Sequence, residues 1–457
     1  MKSKLWRFLA ALLALIAGPA TAAQQKTFAF TDVTVVPMDR ERLLPRQTVI
    51  VRSGRIEAIG PSARIRVPAG ATVIAGRGRY LMPGLAEMHA HIPPAPDAQA
   101  SADVLFLYAA NGVTFARGML GAPYHLELRE RAARGEIVSP LIYTSGPSLN
   151  GNSVKSPADG RRMVEEQKRA GYDFLKIHPG LDRARYDAVA QTAHRLKFPF
   201  GGHVPEAVGL KRVLEARQTT VDHLDGYMSL LVRDGSALAD APPGFFGFAF
   251  AGELDERKIP AVVRMTRQAG TWNVPTESLI AQMMLASPTE AELRARPEIR
   301  YVSPDTVAQW LRARANQQTQ PNFSAERARR FIEVRRKLIK GLHDGGAGLL
   351  LGSDAPQWFN VPGFSLHREL GMLVEAGLTP YQALATGTRN VARFLGREQD
   401  FGTVARGRRA DLILLDANPL ASVRNARRPA GVMLNGRWLP RSEIDAGLAA
   451  IAARQKK

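Results

Sequence analysis

The chain has 457 residues, 45% of them hydrophobic, which suits one large barrel plus a smaller module and excludes wholesale disorder. It contains no cysteine, so disulfides and thiolate metal sites are excluded and any metal must sit on imidazole and oxygen ligands. The net charge of +20 comes largely from Arg interleaved with Glu on helical stretches such as 129–134 and 327–336, the pattern of a solvated face and not of a nucleic-acid groove.

Residues 1–22 read as an export signal. Lys2, Lys4 and Arg7 precede the apolar run 8–17, and Ala20-Thr21-Ala22 supplies a small-x-small cleavage site. Cleavage would leave a periplasmic or secreted protein with no stable membrane insertion. No later stretch reads as a transmembrane helix.

Short β-type runs follow, at Phe28 to Val36, Thr48 to Arg52, Arg55 to Ile59 and Thr72 to Ala75, with Ser53-Gly54 as a tight hairpin turn. From Leu81 strand-like and helical patterns alternate. The strands read are Leu85 to Met88, Thr114 to Arg117, Leu141 to Ser145, Phe174 to Ile177, Phe200 to His203, Thr220 to His223, Thr271 to Val274 and Leu349 to Leu351. Amphipathic segments such as Ala158 to Ala170 and Ala184 to Leu196 lie between them. Eight such units predict an α/β fold, a (β/α)8 TIM barrel over 83–394. The stretches 225–265 and 280–335 exceed a simple crossover and predict lid or rim structure. After Leu395 the β character returns, at Asp411 to Asp416 and Gly431 to Leu434, with Gly436 in a turn before Trp438-Leu439. The flanks, 23–82 and 395–445, are expected to meet as a small β-sandwich, with 446–457 as a C-terminal tail continuing a basic helix from Arg441.

Four of the nine histidines stand at or just past predicted strand ends: His89, His91, His203 and His223. Strand C-termini of a barrel converge on one mouth, so these residues can meet there. In His89-Ala90-His91 the two imidazoles share one side of an extended segment and can grip one cation. Asp354, after Leu349 to Ser353, either caps the next helix or works at the mouth, and the histidines favour the second use. Lys176 lies inside the apolar run Phe174 to Ile177. Burying an ammonium is costly, so it is either salt-bridged or converted by carbon dioxide to a carbamate that can bridge two metals.

This pattern resembles the amidohydrolase superfamily in its binuclear form, and within it the imidazolonepropionase-like and prolidase-like members. The likeness spans nearly the whole chain after the signal. It includes Tyr80 to Leu85 ahead of the H-x-H, Leu366-His367 with Glu369-Leu370, Gly377 to Pro380, Ala383-Leu384, and Gly407 to Leu412. It implies two divalent metal ions, with zinc the default. His89, His91 and Asp354 would hold the more buried ion, His203 and His223 the more exposed one, and carboxylated Lys176 would bridge them. Water between the metals would be the nucleophile, and Asp354 would carry its proton to the leaving amine. Arg117-Gly118-Met119 departs from the Arg-Asp pair often found at that place in the family.

Tyr227 is a candidate catalytic residue that would hydrogen-bond a carbonyl or oxyanion. Tyr143, Asn150, Lys155 and Arg117 are candidates for a substrate carboxylate, with an ordinary structural role the equal alternative for each, and His178, two residues past Lys176, either reaches the pocket or, the favoured reading, is a loop histidine bonded to backbone. His367 is expected to anchor a helix near Asp354, while His125, His194 and His343 read as packing or surface residues. The expected reaction is hydrolysis of a C–N amide bond in a small molecule, a dipeptide or an N-acyl amino acid. The alternatives are lactone, carboxyl ester or phosphotriester hydrolysis on the same site, or a non-catalytic envelope binding protein. A homo-oligomer is compatible with the sequence, and nucleic acid is not expected as a partner.

Overall fold

The computed structural model describes residues 26–456 apart from 95 and 321. The export signal read in residues 1–22 lies outside the described residues. Among the described residues, no helix is long and apolar enough to cross a membrane.

Both chain flanks contribute to one eight-stranded sheet. The N-terminal flank supplies β1 (Thr27–Val35), β2 (Leu44–Arg52), β3 (Arg55–Pro61), β4 (Thr72–Ala75) and β5 (Tyr80–Pro83). β1 pairs with β2, β4 and β5. The turn at Ser53-Gly54 has φ of 50° and 73°, the left-handed pair that suits a two-residue hairpin between twisted strands. An apolar core of its own, including Phe30, Val49, Leu412 and Met433, lies against this sheet.

Seven parallel strands follow in two sheets. β6 (Leu85–Ala90), β7 (Val113–Gly118) and β8 (Leu141–Thr144) form the first. β9 (Leu175–Ile177), β10 (Phe200–Gly202), β11 (Thr220–Asp222) and β12 (Trp272–Val274) form the second. An isolated bridge from Ser145 to Phe174 joins the β8 and β9 edges, and another links Asn273 in β12 to Leu349, outside both sheets. The eighth expected strand, at Leu349 to Leu351, is not a regular strand. The Leu351 N–H is taken by the Thr386 carbonyl, so the segment keeps one isolated bridge to Asn273 on one side and the Met88 N to Leu351 O bond at 2.8 Å on the other. Helices pack between the parallel strands. Ser156 caps helix Pro157–Ala170 by accepting from the Asp159 N–H, and Gly171 ends it at φ 88°.

The C-terminal flank returns to the first sheet with β13 (Leu412–Leu415), β14 (Gly431–Leu434) and β15 (Arg437–Pro440). β13 runs antiparallel to β5, pairing Leu412 with Pro83. A second left-handed pair, Asn435 and Gly436, turns β14 into β15. The far edge is not free: Ile56 N donates to Arg408 O at 2.9 Å, so the sheet curls back on the chain leading into β13. Beyond β15, helix Arg441–Arg454 packs onto helix Ala98–Ala110. Ile451 is buried, and Arg454 Nε donates to Asp103 at 2.9 Å.

Candidate metal centre

The C-terminal ends of the parallel strands bring the expected residues together. His89 lies in β6 and Lys176 in β9, while His203 and His223 directly follow β10 and β11. Asp354 follows the bridging segment. Glu87 ties this segment to the H-x-H: its buried carboxyl accepts from His89 N at 2.9 Å, Ser353 N at 2.8 Å and Ser353 Oγ at 2.6 Å. Burial pushes Glu87 up to about 8, against those three hydrogen bonds. At Gly202 a Cβ would stand 2.5 Å from Ile177 O and 2.9 Å from Lys176 Cδ, so glycine there leaves room for the neighbouring strand and the lysine side chain.

Asp354 Oδ1 lies 2.7 Å from His91 Nε2 and 3.4 Å from His89 Nε2. Lys176 Nζ stands 3.4 Å from the same His89 Nε2. One ligand atom from each of His89, His91 and Asp354 falls within 4.8 Å of the other two. The imidazoles continue as a row, with ring centroids 4.7 Å apart for His89 and His223 and 4.6 Å for His223 and His203. His178 stacks on His203 at 4.9 Å.

Two of these rings have Nδ1 in a hydrogen bond, and the third, His89, has Nδ1 beside a carboxylate oxygen without an aligned hydrogen bond. His203 Nδ1 faces Asp225 Oδ2 at 2.7 Å, and His89 Nδ1 lies 2.8 Å from Asp222 Oδ2. His223 Nδ1 faces Thr276 Oγ1 at 2.8 Å, and that hydroxyl donates to Pro275 O and so accepts from the ring. This arrangement places the proton on Nδ1 and leaves each Nε2 lone pair for a cation. The backbone is strained to achieve it: His223, Thr276 and Asp354 have φ of 62°, 49° and 60°. Arg335, wholly buried, holds the strained turn by donating to His223 O at 2.9 Å and to Glu277 at 2.8 Å.

The residues fit a divalent cation. Asp354 Oδ1 is buried and close to two imidazole nitrogens, yet makes no aligned hydrogen bond, as expected of ligands facing a shared ion. Burial lowers His89 to about 4 and pushes His223 well below the usual histidine range, the direction that favours rings able to bind a cation. Burial works to raise Asp354, but the field of the imidazoles around it, with the contact to His91, holds it well below the ordinary carboxylate range. Burial pushes Lys176 down to about 8, although Asp222 and Asp354 favour its charged form.

Other expectations are corrected. Tyr227 does not face the cluster. Its hydroxyl donates to Asn273 at 2.7 Å and pairs with Thr266 at 2.9 Å, buried between β12 and helix Ile259–Ala269. Its place four residues past His223 starts helix Tyr227–Leu231 and turns the ring into the helix layer. Arg117 is buried among the parallel strands, bonded to Thr220 Oγ1 at 2.9 Å and lying 4.6 Å over the Phe174 ring. Tyr143 donates to Asp173 O, Asn150 accepts from Asn152 and Ser153 N–H, and Lys155 donates to Gly151 O. None of the four is held ready for a substrate carboxylate. His367 donates to Asn111 O at 2.9 Å and links two helices without a bond to Asp354. Sequence reasoning missed the orienting groups Asp222, Asp225 and Thr276, although Asp222 and Asp225 flank His223 in the run 222–225.

Residues 80–439 match the amidohydrolase family. The chain is similar to the imidazolonepropionase of Symbiobacterium thermophilum, 24% identical over 395 residues that cover 82% of this chain and 84% of the relative. It is also similar to the ochratoxinase of Aspergillus niger, 23% identical over 426 residues covering 87% and 83%. Among solved structures, a bottromycin amidohydrolase superposes with a TM-score of 0.70 at 21% identity, over 94% of this chain and 90% of that one. A Xaa-Pro dipeptidase superposes at 0.66 and 17% identity, over 91% and 100%.

Proposed function

The chain belongs to the amidohydrolase family, and from that premise we propose that it is a metal-dependent hydrolase that cleaves a C–N amide bond of a small molecule. The observation that carries this reading is the convergence of His89, His91 and Asp354 on one point, with Lys176 alongside and His203 and His223 in the adjoining row. The relatives named above act, by their names, on imidazolonepropionate, ochratoxin, bottromycin and Xaa-Pro dipeptides, and amide-like C–N bonds are the common theme.

The fold we propose for the catalytic part is a (β/α)8 barrel over 83–394, closed through Leu349 to Leu351. The curled flank sheet, 23–82 with 395–445, would be the β-sandwich beside it. The bridges at Ser145 and Asn273 and the Ile56–Arg408 bond support this.

His89, His91 and Asp354 would hold one divalent ion and His203 and His223 a second, with zinc the default for imidazole and carboxylate ligands. Carboxylation of Lys176 would supply the bridging oxygens, and its burial beside His89 supports that role. When bound, such ions lower the pKa of water and polarise a carbonyl. Asp354 does the proton work: kept ionised by its histidines, it takes the proton from attacking water and returns it to the departing nitrogen. Asp225 and Thr276 would hold the His203 and His223 rings through Nδ1, and Asp222 stands beside Nδ1 of His89, which leaves Nε2 of each ring for a cation.

Residues 1–22 are proposed to direct export and then be removed, which N-terminal sequencing of the secreted form tests. The activity is tested with a panel of amides, esters, lactones and phosphotriesters. Turnover confined to the oxygen esters, or absent throughout, would overturn the amide reading.

A further inference from the structure

Among the described residues three large apolar side chains are exposed, and one of them, Phe245, stands at a cleft that opens beside His203. The cleft has a volume of about 750 Å³, within the range that holds a drug-sized group. Its apolar wall is Met228, Phe245, Phe246 and Phe250. The Phe245 and Phe246 rings meet edge-on at 4.4 Å, and Phe246 reaches within 5.3 Å of the His223 ring.

The backbone is strained to put Phe246 there. Its φ is 53°, a left-handed conformation that costs energy in a residue with a side chain, and Gly244 and Gly247 on either side also have positive φ. At Gly247 a Cβ would lie 2.6 Å from Met228 Cβ, so the close approach requires glycine. Strain of this kind persists where the placed side chain has a use.

The charges in the cleft have one dominant sign. Glu206 and Asp240 line it with one lysine, Lys211, and Asp225, also in the lining, is held by His203 Nδ1, in a chain whose net charge is +20. A carboxylate entering here meets like charge. An uncharged ring meets aromatic edges and faces, where stacking adds to apolar burial.

We infer that this cleft seats a bulky uncharged group of aromatic size on one side of the scissile amide, with Phe245 and Phe246 as its specificity-determining residues. This rests on the reading of the histidine cluster as an amide-cleaving centre. It departs from a substrate held there by a free carboxylate.

The test uses the metal-loaded protein and matched neutral amides in which the acyl or the amine substituent is methyl, benzyl, or benzyl bearing a para-carboxylate. On one side of the amide, benzyl should exceed methyl in kcat/KM by at least tenfold, and the para-carboxylate should lose that advantage. Phe246→Ala should collapse the benzyl-to-methyl ratio at least fivefold, with Phe246→Leu and Phe245→Ala in between. Metal content of each variant checks that the site is intact. Calorimetric binding of the benzyl amide is measured in parallel. If no amide is turned over, but the benzyl compound binds and Phe246→Ala weakens that binding at least fivefold, the amide-hydrolase reading fails and the cleft assignment stands. A wild type that cleaves methyl and benzyl amides equally, or variants that slow both by one factor, overturns the cleft assignment alone.

Discussion

Asp225 accepts a hydrogen bond from His203 Nδ1 at 2.7 Å, and both residues stand at the mouth of the parallel strands. The carboxylate fixes the ring tautomer and its orientation, which a free imidazole would sample at random. Removing such an orienting partner costs about 10- to 100-fold in metal affinity or activity. Asp225→Ala should therefore weaken binding of the more exposed ion by that factor, read by titration of the metal-free protein with zinc. Asp225→Asn keeps an acceptor and should lose less. Equal affinity in all three proteins would refute the orienting role.

Lys176 is wholly buried, with Nζ 3.4 Å from His89 Nε2. If it is carboxylated and bridges two ions, the wild type should carry about two metals per chain and Lys176→Ala about one. Protein prepared without carbon dioxide should hold less metal, and bicarbonate should restore the wild type but not the variant. Elemental analysis reads both. Metal content that ignores both the substitution and bicarbonate would reduce Lys176 to a structural cation.

Much of this site was legible because the parallel strands repeat a local rule: apolar run, then a polar residue at the C-terminal end. His89, His91, His203, His223 and Asp354 follow it, Lys176 instead interrupts the apolar run of β9, and the structure gathers all six in one place. Two-residue turns were legible for the same local reason, since Ser53-Gly54 carries its own conformational signature. What failed depended on tertiary detail. Tyr227 lies a few residues past His223, but the short helix it begins rotates it away, and sequence spacing does not encode that rotation. Arg117 follows the strand pattern as well as any ligand, yet Thr220 and Phe174 hold it in the interior. The eighth strand looked regular by composition, but Thr386 competes for its N–H from a helix distant in the chain.

Arg335 and Glu277 form an ion pair at 2.8 Å with both side chains wholly buried. Breaking such a pair leaves one uncompensated charge and costs about 3–5 kcal/mol, whereas replacing both partners costs much less. Arg335→Met should lower stability by that amount in urea denaturation, and Arg335→Met with Glu277→Leu should recover part of it. Because Arg335 also donates to His223 O at 2.9 Å, the double variant should still bind metal more weakly than the wild type. A double variant that recovers stability and metal affinity together would show that the guanidinium does nothing for His223.

His367 is buried and donates from Nε2 to Asn111 O at 2.9 Å, while its Nδ1 has no partner. Burial lowers its pKa to about 4, with the Asn111 hydrogen bond opposing and the charges of Arg427 and Arg368 assisting. The unfolded chain binds this proton near the ordinary value of 6.5, so between there and about 4 the unfolded state holds more protons than the folded one. Folding stability therefore rises with pH across that window and is lost on acidification. The loss between pH 7 and pH 5 is about 2 kcal/mol for this residue. His367→Gln keeps a donor for Asn111 O and cannot titrate. Urea denaturation at the two pH values should show the wild type losing about 2 kcal/mol more than the variant. Parallel losses would mean that the buried ring does not couple proton binding to folding.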